Sequence, residues 1–169
     1  MPVGSRDRRS RKAGDLMLHV GVISDTHGLL RPQAVAALRG CPMIIHAGDV
    51  GRPEILDELR RVAPVFAVRG NVDNGPWALQ LPDTEIVQVE DHLLHVLHDV
   101  NALNLDPHTA GFRAVIAGHS HQPKIETRNG VLYFNPGSAG PRRFNLPVSV
   151  GRLMVSGAEL EAEIINLDL

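Results

Sequence analysis

Leu18-His-Val-Gly-Val-Ile-Ser24, followed at once by Asp25-Thr26-His27, decides the reading of this chain. A short apolar run bounded by turn residues reads as a buried strand, and polar side chains just past its end fall on a sheet rim. The arrangement recurs outward from there: Met43–His46 runs into Gly48-Asp49, and Val65–Val68 runs into Gly70-Asn71. Between these runs, Pro32–Arg39 opens with proline and stops before Gly40. Pro53–Val62 carries acidic residues early and arginines late, which suits the helix dipole. The resulting βαβαβ order predicts parallel strands joined by right-handed crossovers, with all three strand ends on one side. The spacings, 24 residues from Asp25 to Asp49 and 22 from Asp49 to Asn71, each fit one βα unit.

The pattern then changes. Glu85–Glu90 and Leu93–His98 read as strands around a tight turn at Asp91–His92, and Ala114–Ala117 is a further apolar strand running into Gly118-His119-Ser120-His121. Lys124–Thr127 and Val131–Asn135 flank Asn129-Gly130, a hairpin signal because both residues tolerate positive φ. Val148–Val155 and Leu160–Asn166 form a last strand pair around Ser156-Gly157. Two packed sheets are expected, the first half mainly parallel and the second mainly antiparallel, with helices on the outer faces.

The length of 169 residues fits one domain with a substantial core. With 43% hydrophobic and 21% charged residues the balance is that of a globular protein, and a net charge of -2 gives no global pull toward nucleic acid or anionic membrane. One cysteine, Cys41, excludes an intramolecular disulfide framework and a cysteine-based zinc knuckle. No run reaches the roughly 20 apolar residues of a membrane span. Residues 1–16 are polar and arginine-rich, read as a disordered basic arm ahead of a domain over 17–169; they lack the apolar segment of a secretory signal, so a cytoplasmic location is expected.

Seven residues therefore gather as potential metal ligands: Asp25, His27, Asp49, Asn71, His98, His119 and His121. Residues i and i+2 of extended backbone share a face, so His119 and His121 can point at one site. Mixed oxygen and nitrogen donors without thiolate suit manganese, nickel, iron or zinc, whereas magnesium or calcium prefers an all-oxygen set. Two such cations can clamp a phosphoryl group and activate a shared water for in-line displacement. Ordinary turn polars would explain the Asp and Asn positions but not four histidines.

The motifs Asp25-x-His27, Gly48-Asp49, Gly70-Asn71-x-Asp73, His98, Gly118-His119-x-His121 and Asn135-Pro136-Gly137-Ser138 resemble the calcineurin-like metallophosphoesterase superfamily, in particular its small single-domain bacterial and archaeal phosphodiesterases. The match runs over roughly residues 18 to 168. The resemblance implies a four-layer αββα sandwich of two mixed β-sheets flanked by helices. It implies one metal on Asp25, His27, Asp49 and His121, and a second on Asp49, Asn71, His98 and His119, with Asp49 bridging. It also implies hydrolysis of a small phosphoester by a hydroxide shared between two divalent ions, manganese first among the candidates. Self-association into a dimer or tetramer is a further expectation.

Two positions depart from the family pattern. Val72 stands where many members carry a leaving-group-protonating histidine, which favours diesters over difficult monoesters. Asp99 stands where relatives often have glycine, placed either to orient His98 or to repel a dianion. Asn71 and Asp73 are the catalytic candidates, with fixing the Asn71 loop as the alternative role of Asp73. Arg142 and Arg143 are the candidates for gripping phosphate. A protein-interaction scaffold on the same fold, as in the retromer sorting subunit, is the alternative function. A nuclease using the basic arm ranks behind both.

Overall fold

The computed structural model describes residues 17–169; the basic arm expected over residues 1–16 lies outside the described residues. Among the described residues, ten strands form two five-stranded mixed sheets. The first sheet contains β1 (Leu18–Ile23), β2 (Met43–His46) and β3 (Val65–Ala67), connected through α1 (Pro32–Leu38) and α2 (Pro53–Arg60), with β1 parallel to β2 and β2 parallel to β3. The second contains β4 (Thr84–Val89), β5 (His92–Leu97), β6 (Ala114–Ile116), β7 (Lys124–Arg128) and β8 (Val131–Asn135) in the order β4-β5-β6-β8-β7. Asn129 and Gly130 turn the β7–β8 hairpin at φ 49° and 77°, the pair of left-handed residues its sequence called for.

The last hairpin, β9 (Ser149–Ser156) and β10 (Glu159–Asn166), returns to the first sheet, where β9 lies antiparallel to β1. Within the second sheet, β5, β6 and β8 run parallel and only the outer pairs are antiparallel. The expected division into a mainly parallel first half and a mainly antiparallel second half is thus corrected: the first sheet is parallel over β1-β2-β3 with β9 and β10 antiparallel on one side, and the second has a parallel centre with antiparallel flanks. The physical reason is visible in β9. It buries alternate side chains on one face in the inter-sheet core (Leu153, Val155) and Val150 on the other, as befits an interior strand, and it covers the edge of β1 that would otherwise stand unpaired.

The inter-sheet core is built from Val20, Val22 and Ile45 of the first sheet against Leu94, Ile116 and Phe134 of the second, among others. Complete burial of each such side chain stabilises the fold by about 1.5–3 kcal/mol before entropy is counted. The close approach of the sheets explains Gly151 in β9: a Cβ there would run into the Phe134 ring. Outside the first sheet, α1 and α2 bury Ala34, Leu38, Ile55, Leu56 and Leu59. A one-turn helix α3 (Pro76–Leu79), too short to show any period in sequence, docks Trp77 on the same layer. Outside the second sheet the cover is thinner. There Leu97, Val115, Ala117 and Val131 pack beneath Leu103, just past a single 3-10 turn at Val100–Ala102. No helix among the described residues is long and apolar enough to cross a membrane.

Candidate metal centre

The parallel strands deliver their C-terminal ends to one rim, and the polar residues beyond them turn sharply inward. Asp25, His27, Asp49, His119 and His121 all have positive φ, between 46° and 71°. Asp and His tolerate this region better than other side chains, yet five such residues in one place is a concentration of backbone strain of the kind found at functional sites. The glycines beside them let the loops approach. A Cβ on Gly70 would overlap the Asp49 main chain and carboxylate, and one on Gly118 would overlap Ser24 Oγ and lie 2.5 Å from Asp25 Oδ2.

Two groups of donors result, Asp25–His27–His121 and Asp49–His98–His119, with the ligand atoms in each lying within 4.8 Å of one another. Asn71 joins the second group, its Oδ1 lying 3.1 Å from His119 Nδ1. The groups are contiguous. Asp49 Oδ2 is 3.2 Å from His98 Nε2 and 3.7 Å from His27 Nε2, so this carboxylate lies between them. Asp25 Oδ1 is 3.3 Å from His121 Nε2. All seven residues that the sequence singled out as ligands come together on this rim.

The surrounding hydrogen bonds fix which atoms face the centre. His98 Nδ1 lies 2.7 Å from Ala47 O and donates to it, which leaves Nε2 as an unpaired acceptor aimed at Asp49. Asp25 Oδ1 is likewise buried without a hydrogen-bond partner, while Oδ2 accepts from Ser24 Oγ at 2.6 Å and from His119 N at 3.1 Å. Two carboxylates and several imidazole nitrogens presenting lone pairs to one another form an electrostatic arrangement that a cation satisfies and hydrogen bonds alone do not. The residues present therefore fit divalent transition-metal ions, held by nitrogen and oxygen with no sulfur ligand.

Titration behaviour reflects the same crowding. Burial alone would raise the Asp25 carboxyl, but contacts from His121, His27 and Ser24 outweigh it and hold the group far below the usual carboxylate range. Burial also opposes ionisation of Asp49, and His98 together with the Val72 amide more than reverses it. For His98, burial pulls the imidazole down while the Asp49 carboxylate and the Ala47 carbonyl push it up, with a net rise. A proton would compete with a metal for the same Nε2.

Several further side chains have definite places around the centre. Asp73 is buried, and its two oxygens accept from the amides of Val50 (3.2 Å), Gly51 (2.9 Å) and Gly70 (2.9 Å). These bonds tie the Asp49 and Asn71 loops to each other, the arrangement expected of the loop-fixing alternative. His46, fully buried, accepts from Gly48 N at Nδ1 (3.1 Å) and donates from Nε2 to Thr26 Oγ1 (3.0 Å), which in turn donates to Val50 O (2.8 Å). Burial pushes its pKa down to about 4, so it stays neutral. Arg142 and Arg143 are exposed on the loop that follows Gly140, and Gly140 itself passes against the Asp25–Thr26 main chain. Among the described residues neither arginine is drawn into an ion pair.

Three further side chains support the centre, and of these Ser24 lies outside the motifs that the sequence singled out. Ser24 orients Asp25, and a hydroxyl ending a strand beside a carboxylate was the available signal. Asn135 holds the ligand loop through its Nδ2, which donates to Gly118 O (2.9 Å) and Ser120 Oγ (3.1 Å). Ser138 Oγ donates to Asp25 O at 3.0 Å, which ties the Asn135–Ser138 turn beneath the centre. Asp99 turns away from the role of orienting His98. Its Oδ1 accepts from Asn101 N to cap the 3-10 turn, and its Oδ2 lies 3.8 Å from His119 Nε2.

Comparison with known proteins agrees with this geometry. The model of the calcineurin-like phosphoesterase superfamily domain matches residues 18–158. A probable metallophosphoesterase of Methanothermobacter thermautotrophicus is 37% identical over 159 residues, spanning 87% of this chain and 91% of the relative. Among solved structures, Vacuolar Protein Sorting 29 from Cryptosporidium parvum superposes with a TM-score of 0.78 at 19% identity, covering 91% of this chain and 93% of that one. An archaeal phosphodiesterase superposes with a TM-score of 0.74 at 23% identity, covering 88% and 100%. With the fold, the ordered ligand motifs and this similarity in agreement, the chain belongs to the calcineurin-like phosphoesterase superfamily.

Proposed function

We propose that this protein is a metal-dependent phosphodiesterase acting on small phosphoesters. The observation that carries the reading is the pair of contiguous donor groups, with Asp49 between them and Asn71 at their open edge. Asp25, His27, Asp49 and His121 would hold one divalent ion and Asp49, Asn71, His98 and His119 the other, with manganese the first candidate. When bound, such a pair supplies Lewis acidity toward phosphoryl oxygens and lowers the pKa of a water for in-line attack.

The chain's own groups account for the rest. Ser24 and the His119 amide keep Asp25 aimed inward, and Ala47 O fixes the His98 tautomer. The Asn71 amide is exposed beside His119, where its NH2 can donate to a non-bridging phosphoryl oxygen. Arg142 and Arg143 supply guanidinium groups for the remaining oxygens.

Two features favour diesters. Val72, 44% exposed beside Asn71, offers no proton to a poor leaving group. Asp99, near His119, adds a negative charge that disfavours a dianionic monoester more than a monoanionic diester. Hydrolysis of bis-p-nitrophenyl phosphate and p-nitrophenyl phosphate with added manganese tests the reading. The diester should be cleaved faster, and Asp49→Asn should abolish both activities. A monoester preference would overturn the diesterase assignment. No turnover of either ester, together with a stoichiometric co-purifying protein, would replace it with a scaffold role.

A further inference from the structure

The outer face of the second sheet carries a cavity of about 240 Å³ that opens beside His119. One wall comes from Asp99, Val100 and Asn101 around the 3-10 turn, and the other from Lys124, Arg128 and Tyr133 of the β7–β8 hairpin, with Val115 and Ala117 between them. Strand register explains why this space adjoins the metal centre. Asn135, at the end of β8, grips the His119 loop. Tyr133 lies two residues back on the same face, roughly 7 Å away along the strand.

The Tyr133 wall is prearranged. The Arg128 guanidinium carbon lies 4.7 Å from the Tyr133 ring centroid, and Glu126, directly opposite Tyr133 in the ladder, holds Arg128 at 2.9 Å and Lys124 at 3.0 Å. Glu126 offsets part of the positive charge of the two cations, and Asp99 faces them across the cavity. The lining is therefore close to neutral and unsuited to a second phosphate. A stacked arginine–aromatic pair beside an apolar floor suits a flat, uncharged ring. The volume lies below the roughly 300–1,000 Å³ of clefts that enclose whole drug-sized ligands, so one ring system fits better than a large molecule.

We propose that this cavity seats the heterocyclic arm of the substrate, and that the substrate class is a phosphodiester carrying a nucleoside. The placement of the phosphate at the metal rim rests on the diesterase reading above. Tyr133 and Arg128 are specificity residues that bind the ring without touching the reacting atoms.

The test is calorimetric titration of the manganese-loaded full chain with AMP and with ribose 5-phosphate, which differ by the base alone. The wild-type protein should bind AMP roughly ten-fold or more tightly. Tyr133→Ala should cost AMP roughly five- to one-hundred-fold in affinity and bring the two ligands level, while Tyr133→Phe keeps the preference. Equal or undetectable binding of both ligands to the wild type, or a preference that survives Tyr133→Ala, overturns the proposal. Turnover of bis-p-nitrophenyl phosphate is read on the same preparation. Base preference without turnover sinks the diesterase reading and leaves the ring site standing, whereas turnover without preference does the reverse.

Discussion

Gly118→Ala places the smallest available perturbation against the centre of the account. Gly118 does not sit at positive φ, so alanine adds no backbone strain and its effect is steric. The new methyl group would overlap Ser24 Oγ, lie 2.9 Å from Ser24 Cβ, and lie 2.5 Å from Asp25 Oδ2, well inside the 3.4 Å at which ordinary contact begins. None of these atoms is the free end of a flexible side chain. Ser24 and Asp25 are fully buried, and Asp25 Oδ2 already accepts from Ser24 Oγ and His119 N. Relief therefore requires the Asp25 carboxylate to rotate or the His119 loop to lift. Overpacking of this kind costs about 1–3 kcal/mol of stability. Displacing a ligand and its supporting hydrogen bonds lowers metal affinity by roughly 10- to 100-fold. Urea denaturation reads the first quantity and calorimetric manganese titration the second. Ser24→Ala in the same background should recover only part of the loss, because the clash with Asp25 Oδ2 remains. Wild-type manganese affinity in Gly118→Ala would refute the claim that Asp25 is a ligand held in place by this close approach.

Other expectations test separate parts of the structure. His46 stays neutral down to about pH 4 in the fold, whereas an unfolded chain protonates it near 6.5. The unfolded state thus binds more protons in that window, and stability should fall as pH drops from 6.5 toward 4, by on the order of 3 kcal/mol in total. The slope of urea stability against pH, compared with that of His46→Gln, measures it; identical slopes would refute it. Asp73→Ala leaves three main-chain amides without their acceptor, and should lower the unfolding free energy by about 3 kcal/mol or more while weakening metal binding. Retention of wild-type stability would show that those bonds are not what fixes the loops. Arg142→Ala with Arg143→Ala should raise KM for a phosphodiester roughly ten-fold and leave the urea midpoint unchanged, since both side chains are exposed. An unchanged KM would remove them from substrate binding.

The centre was more legible than the architecture around it. Apolar runs ending in Gly-Asp, Gly-Asn and Gly-His announced which candidate ligands would converge, because strand ends in a parallel arrangement must share a side, and local sequence encodes both the run and its stop. The pairing of β9 with β1 was hidden, since a strand buried on both faces reads the same whichever neighbour it takes. The helix at Pro76–Leu79 spans barely one turn, which leaves proline as its only signature. The left-handed backbone at Asp25 and Asp49 could not be read from residues that usually adopt ordinary conformations. Asp99 shows the remaining difficulty. His98 takes its orientation from the Ala47 carbonyl, a main-chain group no side-chain pattern reveals, and this frees Asp99 to face His119.

The most direct measurement is anomalous diffraction from a manganese-soaked crystal of the full chain, with occupancy refined at the rim of the first sheet. Two cations per chain are predicted, one contacting Asp25, His27 and His121 and the other His98, His119 and Asn71, with Asp49 reaching both. A single ion that leaves one group unengaged, or cations bound only elsewhere on the surface, would contradict the account.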